Sequence, residues 1–195
     1  MNDIKHYIDK CQGIQPPHMA FYTSAIKFNL ESAIVSINTL VSLMEERNLT
    51  KEPHALSSHI LDSIQNALIH TACLSKYFWP INHGTHKLHK RRAQNLRKQF
   101  GVKDDSPIRN KELRNHLEHL DENLDTYLWK EPIVGNIYPE YVGTEMERNE
   151  VPYHFFRAFF IDSGTFESLG VRLDIQPIVD ELFQLYRDTY SDENT

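Results

Sequence analysis

Three residues near the middle of the chain have the types and spacing for proton transfer on a phosphodiester. They are Arg114, Asn115 and His119, in the stretch from Lys111 to Leu128 that reads KELRNHLEHLDENLDTYL. An arginine holds a phosphate in a fork of donors at any pH. A histidine exchanges a proton near neutrality, and an asparagine can orient an imidazole or a hydroxyl. These are the tools for metal-free cleavage in which a ribose 2′-hydroxyl attacks its neighbouring phosphate. On a helix, Asn115 and His119 are i,i+4 and share a face, with Glu122 one turn further on. Arg114 and His119 are five apart, about 140° around the axis. One helix therefore closes such a site only imperfectly, whereas two facing copies could close it. A structural reading of the same residues pairs Arg114 with Glu118 or Asp121 and gives His119 a neighbouring acid.

Other residues carry weaker chemical signals. His116 and His119 with Glu122, or His83, His86 and His89, have spacings that a metal could use, although eleven histidines make chance spacings common. Tyr77, Phe78 and Trp79 could stack a base or fill the core at a helix end, and Phe155, Phe156, Phe159 and Phe160 could cover a packed face. There is no GxGxxG, P-loop or GxSxG motif. Between His83 and Lys103 lie seven cations, Lys87, Lys90, Arg91, Arg92, Arg97, Lys98 and Lys103, and no acid. Removing these seven from the 21 cations leaves 14 against 27 acids, so a basic segment sits on a body of charge −13. Such a segment can contact phosphates or neutralise the protein's own acids.

The elements that position these groups read as helices first. His18 to Arg47 is a long helix with Ile26, Leu30, Ala33, Ile34, Ile37, Leu40, Val41 and Met44 inward. Pro53 starts a second, running to Phe78 with Leu56, Ile60, Ile64, Ala67, Leu68 and Leu74 inward, and Pro80 and Gly84 end it. The two form an antiparallel hairpin. His86 to Phe100 is a weaker third helix stopped by Gly101. Ser106 as N-cap with Pro107 behind it opens the motif helix, read as continuous from Lys111 to about Lys130. Its core stripe is Leu113, Leu117, Leu120, Leu124 and Tyr127. Residues 1–15 read as a partly ordered lead-in and 132–152 as an irregular excursion. A two-strand β-hairpin follows, over 153–161 and 169–173. Asp174 then caps a last helix bearing Ile178, Leu182, Leu185 and Tyr186, with a frayed tail from Ser191.

At 195 residues, 40% hydrophobic and 25% charged, the chain is long enough for a real core. No apolar run reaches bilayer length, and the first residues lack the apolar stretch of a secretory signal. Two cysteines, Cys11 and Cys73, make no disulfide framework, so a cytoplasmic setting is the expectation.

Four helices with R-N-x-x-x-H on the last resemble the HEPN superfamily of small helical domains. That motif is Arg, a polar residue, then His after four to six intervening positions, and it maps here onto Arg114, Asn115 and His119. The words KYFWP, RRAQNLR and SPIRNKELRNHLEHLDENLD also resemble uncharacterised bacterial HEPN-like proteins. The resemblance covers residues 18–130. It implies a four-helix HEPN-like bundle, and with the residue pattern of the remainder the expectation is a mainly α protein: residues 1–131 the HEPN-like bundle, and 132–195 a linker, β-hairpin and terminal helix packed on it. It further implies a homodimer with motif helices opposed, acting as a metal-independent endoribonuclease of toxin or defence type. Arg114, Asn115 and His119 would be catalytic, with no cofactor or metal. The implied partners are RNA and an antitoxin-like protein, without a membrane. Because Glu118, Asp121, Glu122 and Asp125 repel a phosphate backbone, RNA would need Lys87, Lys90, Arg91, Arg92, Arg97 and Lys98 as compensating charge. Some members of the superfamily are non-catalytic, so the alternative is a helical dimerisation or partner-binding module.

Overall fold

A computed structural model describes residues 2–130, 133–147 and 151–191. Its architecture is built on a helical hairpin. Helix α1 (Asn2–Lys10) ends at Gly13, whose amide bonds the Ile8 carbonyl at 2.9 Å. Helix α2 (Met19–Leu49) and helix α3 (Ser57–Phe78) then run antiparallel and make the most extensive contact in the protein. Ile26, Leu30, Ala33 and Ile37 of α2 meet Ile60, Leu61, Ile64 and Leu68 of α3, all buried. The inward stripes match the sequence expectation, except that Val41 is 51% exposed.

Helix α4 (Leu88–Gln99) and helix α5 (Lys111–Glu118) each pack on α3. They lie at its C-terminal end, where α4 and α5 side chains bond the carbonyls of Lys76, Phe78 and Trp79. Ser106 precedes a 3₁₀ turn (Pro107–Arg109), and its hydroxyl donates to Glu181 at 2.5 Å rather than capping a helix. The cap of α5 is Asn110, which accepts from the Leu113 amide at 2.9 Å.

Two expectations fail at this point, and both have physical causes. The motif helix is not continuous. It breaks at His119 (φ −122°, ψ 38°) and restarts as helix α6 (Leu120–Lys130). A straight helix would bury the whole leucine stripe. Instead α5 buries Leu113 together with Arg114 and His116 at the end of α3, and α6 buries no residue. The break lets α6 reach the sheet, where the Tyr127 hydroxyl meets His154 Nδ1 at 2.8 Å.

The second failure is the hairpin, which is a four-stranded sheet in the order β1-β2-β3-β4. Strand β1 (Asn136–Gly143), within the stretch read as irregular, lies parallel to β2 (Tyr153–Phe160). Strands β3 (Thr165–Ser168) and β4 (Val171–Asp174) continue antiparallel. Pro139 obscures β1 in the sequence, but an edge strand tolerates a residue without a ladder donor. Leu169 (φ 48°) and Gly170 (φ 79°) make the tight β3–β4 turn, both in the left-handed region that such turns require.

The sheet lies against the N-terminal half of α3. Arg157 donates to Asp62 at 2.9 Å, to Gln65 at 3.0 Å and to Glu140 at 2.6 Å. Helix α7 (Gln176–Ser191), preceded by Asp174 accepting from the Gln176 amide at 3.0 Å, packs on α2. One core therefore runs from α2 and α3 through Val142, Phe159 and Phe166 to Ile178 and Leu182. Phe155 and Phe160 form a separate aromatic cluster on the sheet. Among the described residues no helix is long and apolar enough to cross a membrane. Pro132 and the tail from residue 192 lie outside the described residues.

Candidate functional site

The three motif residues sit on α5 and its break, and they do not converge. Arg114 is 6% exposed, and its Nη1 donates to the Trp79 carbonyl at 3.1 Å. It is not paired with Glu118 or Asp121 as the structural reading expected: Glu118 instead takes Lys76, Nζ to Oε1 2.7 Å. Asn115 is exposed, and its carbonyl accepts the His119 amide at 3.2 Å. His119 stands at the surface, its Nδ1 3.5 Å from Glu122 Oε2. Asn123 stitches the break by donating from Nδ2 to the His116 carbonyl at 3.2 Å. His116 is buried, and desolvation pushes its pKa below the ordinary value against an opposing pull from Glu112. Arg114 Nε and His116 Nε2 are both buried without a hydrogen-bond partner.

Arg114 has company at the end of α3. Arg97 donates from Nη1 to the Phe78 carbonyl, and Arg92 from Nη2 to the Lys76 carbonyl at 3.3 Å. The last turn of a helix leaves carbonyls without intrahelical partners and carries partial negative charge. Three guanidinium groups, two from α4 and one from α5, satisfy that end. Arg97 also pairs with Asp104 at 3.1 Å and lies over the Trp79 ring, and Arg92 lies over the Tyr22 ring. Arg91 pairs with Asp9 at 2.9 Å. The basic segment thus divides. Its arginines are engaged with the protein, while Lys87, Lys90, Lys98 and Lys103 are exposed.

A cleft of about 250 Å³ opens where α3 turns toward α4. Lys76, Tyr77, Asn82, His89 and Arg92 line it, with Pro80 and Ile81 on its apolar side. Two cations and a histidine beside an aromatic ring suit a phosphate attached to a flat base. The Lys76–Glu118 pair ties this cleft to the last residue of α5, one position before His119. No family model, curated protein or solved structure matches the chain.

Sequence reasoning singled out Arg92 in this cleft and offered Tyr77 for base stacking, weighed His89 only as a metal ligand, and missed Lys76 and Asn82. A signal was present, since a helix ending in KYFWP and followed within ten residues by a basic helix must bring the two together at the turn. Among the described residues no three His, Cys, Asp or Glu side chains are placed to hold a metal ion, neither His116, His119 and Glu122 nor His83, His86 and His89.

Proposed function

We propose that the protein is an HEPN-like, RNA-directed module acting as a dimer, with His119 the reactive group of a metal-independent endoribonuclease. One observation carries this reading. The cleft with Lys76, Tyr77, His89 and Arg92 adjoins, through the Lys76–Glu118 pair, the helix break that exposes His119. In this reading Lys76 and Arg92 hold a phosphate and Tyr77 stacks the attached base. His119, its Nδ1 turned toward Glu122, accepts the 2′-hydroxyl proton at Nε2. The 2′ oxygen then bonds to phosphorus and the P–O5′ bond breaks, leaving a 2′,3′-cyclic phosphate and a 5′-hydroxyl that takes its proton from solvent. Asn115 orients the imidazole or the ribose. Arg114 contributes by fixing α5 on the end of α3, and the charge developing on phosphorus falls to the cleft cations.

The test is cleavage of structured and unstructured RNAs by purified protein in EDTA. The expected result is cleavage that His119→Ala abolishes, and that Lys76→Ala slows mainly through weaker binding. A second reading, the non-catalytic partner-binding module, is favoured by the burial of Arg114 and the acids around His119. Absence of cleavage across all RNAs by a folded protein selects that reading, and activity lost with the chelator would point to a metal.

A further inference from the structure

Helix α2 carries apolar residues around its whole circumference, the pattern of a helix covered on all sides, yet one face is largely exposed, with the Phe28 ring meeting the edge of His70 of α3 at 5.9 Å between centroids. Phe21, Phe28 and Val35 are 75%, 62% and 63% exposed on the side opposite Ile26, Leu30 and Ile37. They belong to a seam, residues 21, 25, 28, 32, 35 and 39, whose steps of 4, 3, 4, 3 and 4 are those of a coiled-coil stripe. Along it bulky and small residues alternate: Phe21, Ala25, Phe28, Ser32, Val35, Thr39.

Between Met19 and Met44 the only charged residues are Lys27 and Glu31. Both turn to α7, where Lys27 Nζ lies 4.5 Å from the Tyr190 ring and Glu31 accepts from the Tyr190 hydroxyl. Two hydroxyls on or beside the seam are satisfied within the helix: Ser36 donates to the Ser32 carbonyl and Thr39 to that of Val35, each at 2.9 Å. Covering this face therefore buries neither a bare charge nor those two donors.

We infer that the occupant is a second copy of this chain, with the two α2 helices antiparallel about a two-fold axis near residue 30. In that register Phe21 faces Thr39 of the second copy, Ala25 faces its Val35 and Phe28 faces its Ser32. Every layer then sets one large side chain against one smaller one, and every layer joins the two alternate seam positions, as antiparallel helices require. A two-fold contact must be complementary to itself. This seam matches its own reverse, which a groove built for an unrelated helix has no reason to do. The three bulky residues from both copies supply roughly 700 Å² of exposed apolar surface, over half of the roughly 1,200 Å² at the low end of stable interfaces. The small residues and flanks supply the rest.

This seam differs from the dimer with opposed motif helices that the resemblance implies, and α2 alone carries it. Sedimentation equilibrium of the full chain without RNA tests it. The expected result is a reversible monomer–dimer equilibrium that Phe28→Glu weakens by at least about tenfold, the effect of removing a buried anchor. Ser32→Phe decides between a fitted seam and mere stickiness. It overfills the Phe28 layer and also weakens the dimer, although it adds apolar surface. Circular dichroism of both variants checks that α2 remains folded. A wild-type chain that stays monomeric at high micromolar concentration, or a Ser32→Phe variant that associates more tightly, overturns the seam. A protein that dimerises but leaves RNA intact refutes the nuclease reading alone.

Discussion

Replacing Arg114 with alanine separates a structural arginine from a catalytic one. The substitution removes the donor to the Trp79 carbonyl in a setting where the side chain is 6% exposed. A buried acceptor losing its partner costs about 1–3 kcal/mol. Withdrawing a cation from a helix C-terminus removes about 0.3–1 kcal/mol more, and the packed stem leaves a void that adds on the order of 1 kcal/mol. Against these stands the relief of no longer burying a guanidinium whose Nε is unpartnered, of similar size to the lost bond. The net is a destabilisation of about 1.3–2 kcal/mol. At about 2–4 °C per kcal/mol for a chain of this size, Tm should fall by roughly 3–8 °C. Arg114→Met keeps the stem and should show about half the fall. Thermal unfolding followed by circular dichroism measures both. If Arg114→Ala unfolds within 1–2 °C of the wild type (roughly half a kcal/mol) while RNA cleavage is lost, the capping argument is wrong and the guanidinium acts on substrate.

His116 gives a pH prediction with a definite sign. Its folded pKa lies below the ordinary value because burial disfavours the imidazolium. The unfolded chain therefore binds more protons between the two values, and stability rises with pH through that window. Wild-type Tm should fall as pH drops from 7 toward 5, more than in His116→Phe, and equal slopes in a pH series would count against it. At the other end of the helix, Asn110→Ala removes the cap on the Leu113 amide and should cost about 1 kcal/mol. Asn110→Gly should lose only a few tenths, a ranking that urea denaturation reads directly.

Much of the helical framework was legible because its signals are periodic. The inward stripes of α2 and α3 and the Asp174 cap each follow from residues acting locally, whereas Pro53 opens a 3₁₀ turn (Pro53–Leu56) and α3 itself begins at Ser57. The break at His119 was not legible, since its cause lies elsewhere in the chain. KELRNHLEHLDENLDTYL has no Pro or Gly, and its leucines keep helical spacing throughout. What divides it is the demand of the α3 carbonyls for Arg114 on one side and the contact of Tyr127 with His154 on the other. Strand β1 was hidden for a related reason: its partner is the parallel β2, and its own pattern is diluted by Pro139 and exposed on one edge.

The same distinction governs the basic segment. Counting charge along the sequence treats Lys and Arg alike, and seven cations without an acid look like a phosphate-binding stripe. In three dimensions the two residue types separate. Arg92 and Arg97, planar and forked, turn inward to α3 carbonyls and aromatic rings, and Arg91 is held by Asp9. Lys87, Lys90, Lys98 and Lys103, compact and strongly hydrated, stay in solvent. Any nucleic acid reaching this surface therefore meets the four lysines first, and Arg92 only at the cleft. The salt dependence of RNA binding should reflect a few contacts, not seven. Each lysine-to-alanine change should lower the slope of log K against log salt by roughly 0.7 for a single strand. A slope unchanged by all four changes would place the RNA, if it binds, on another face.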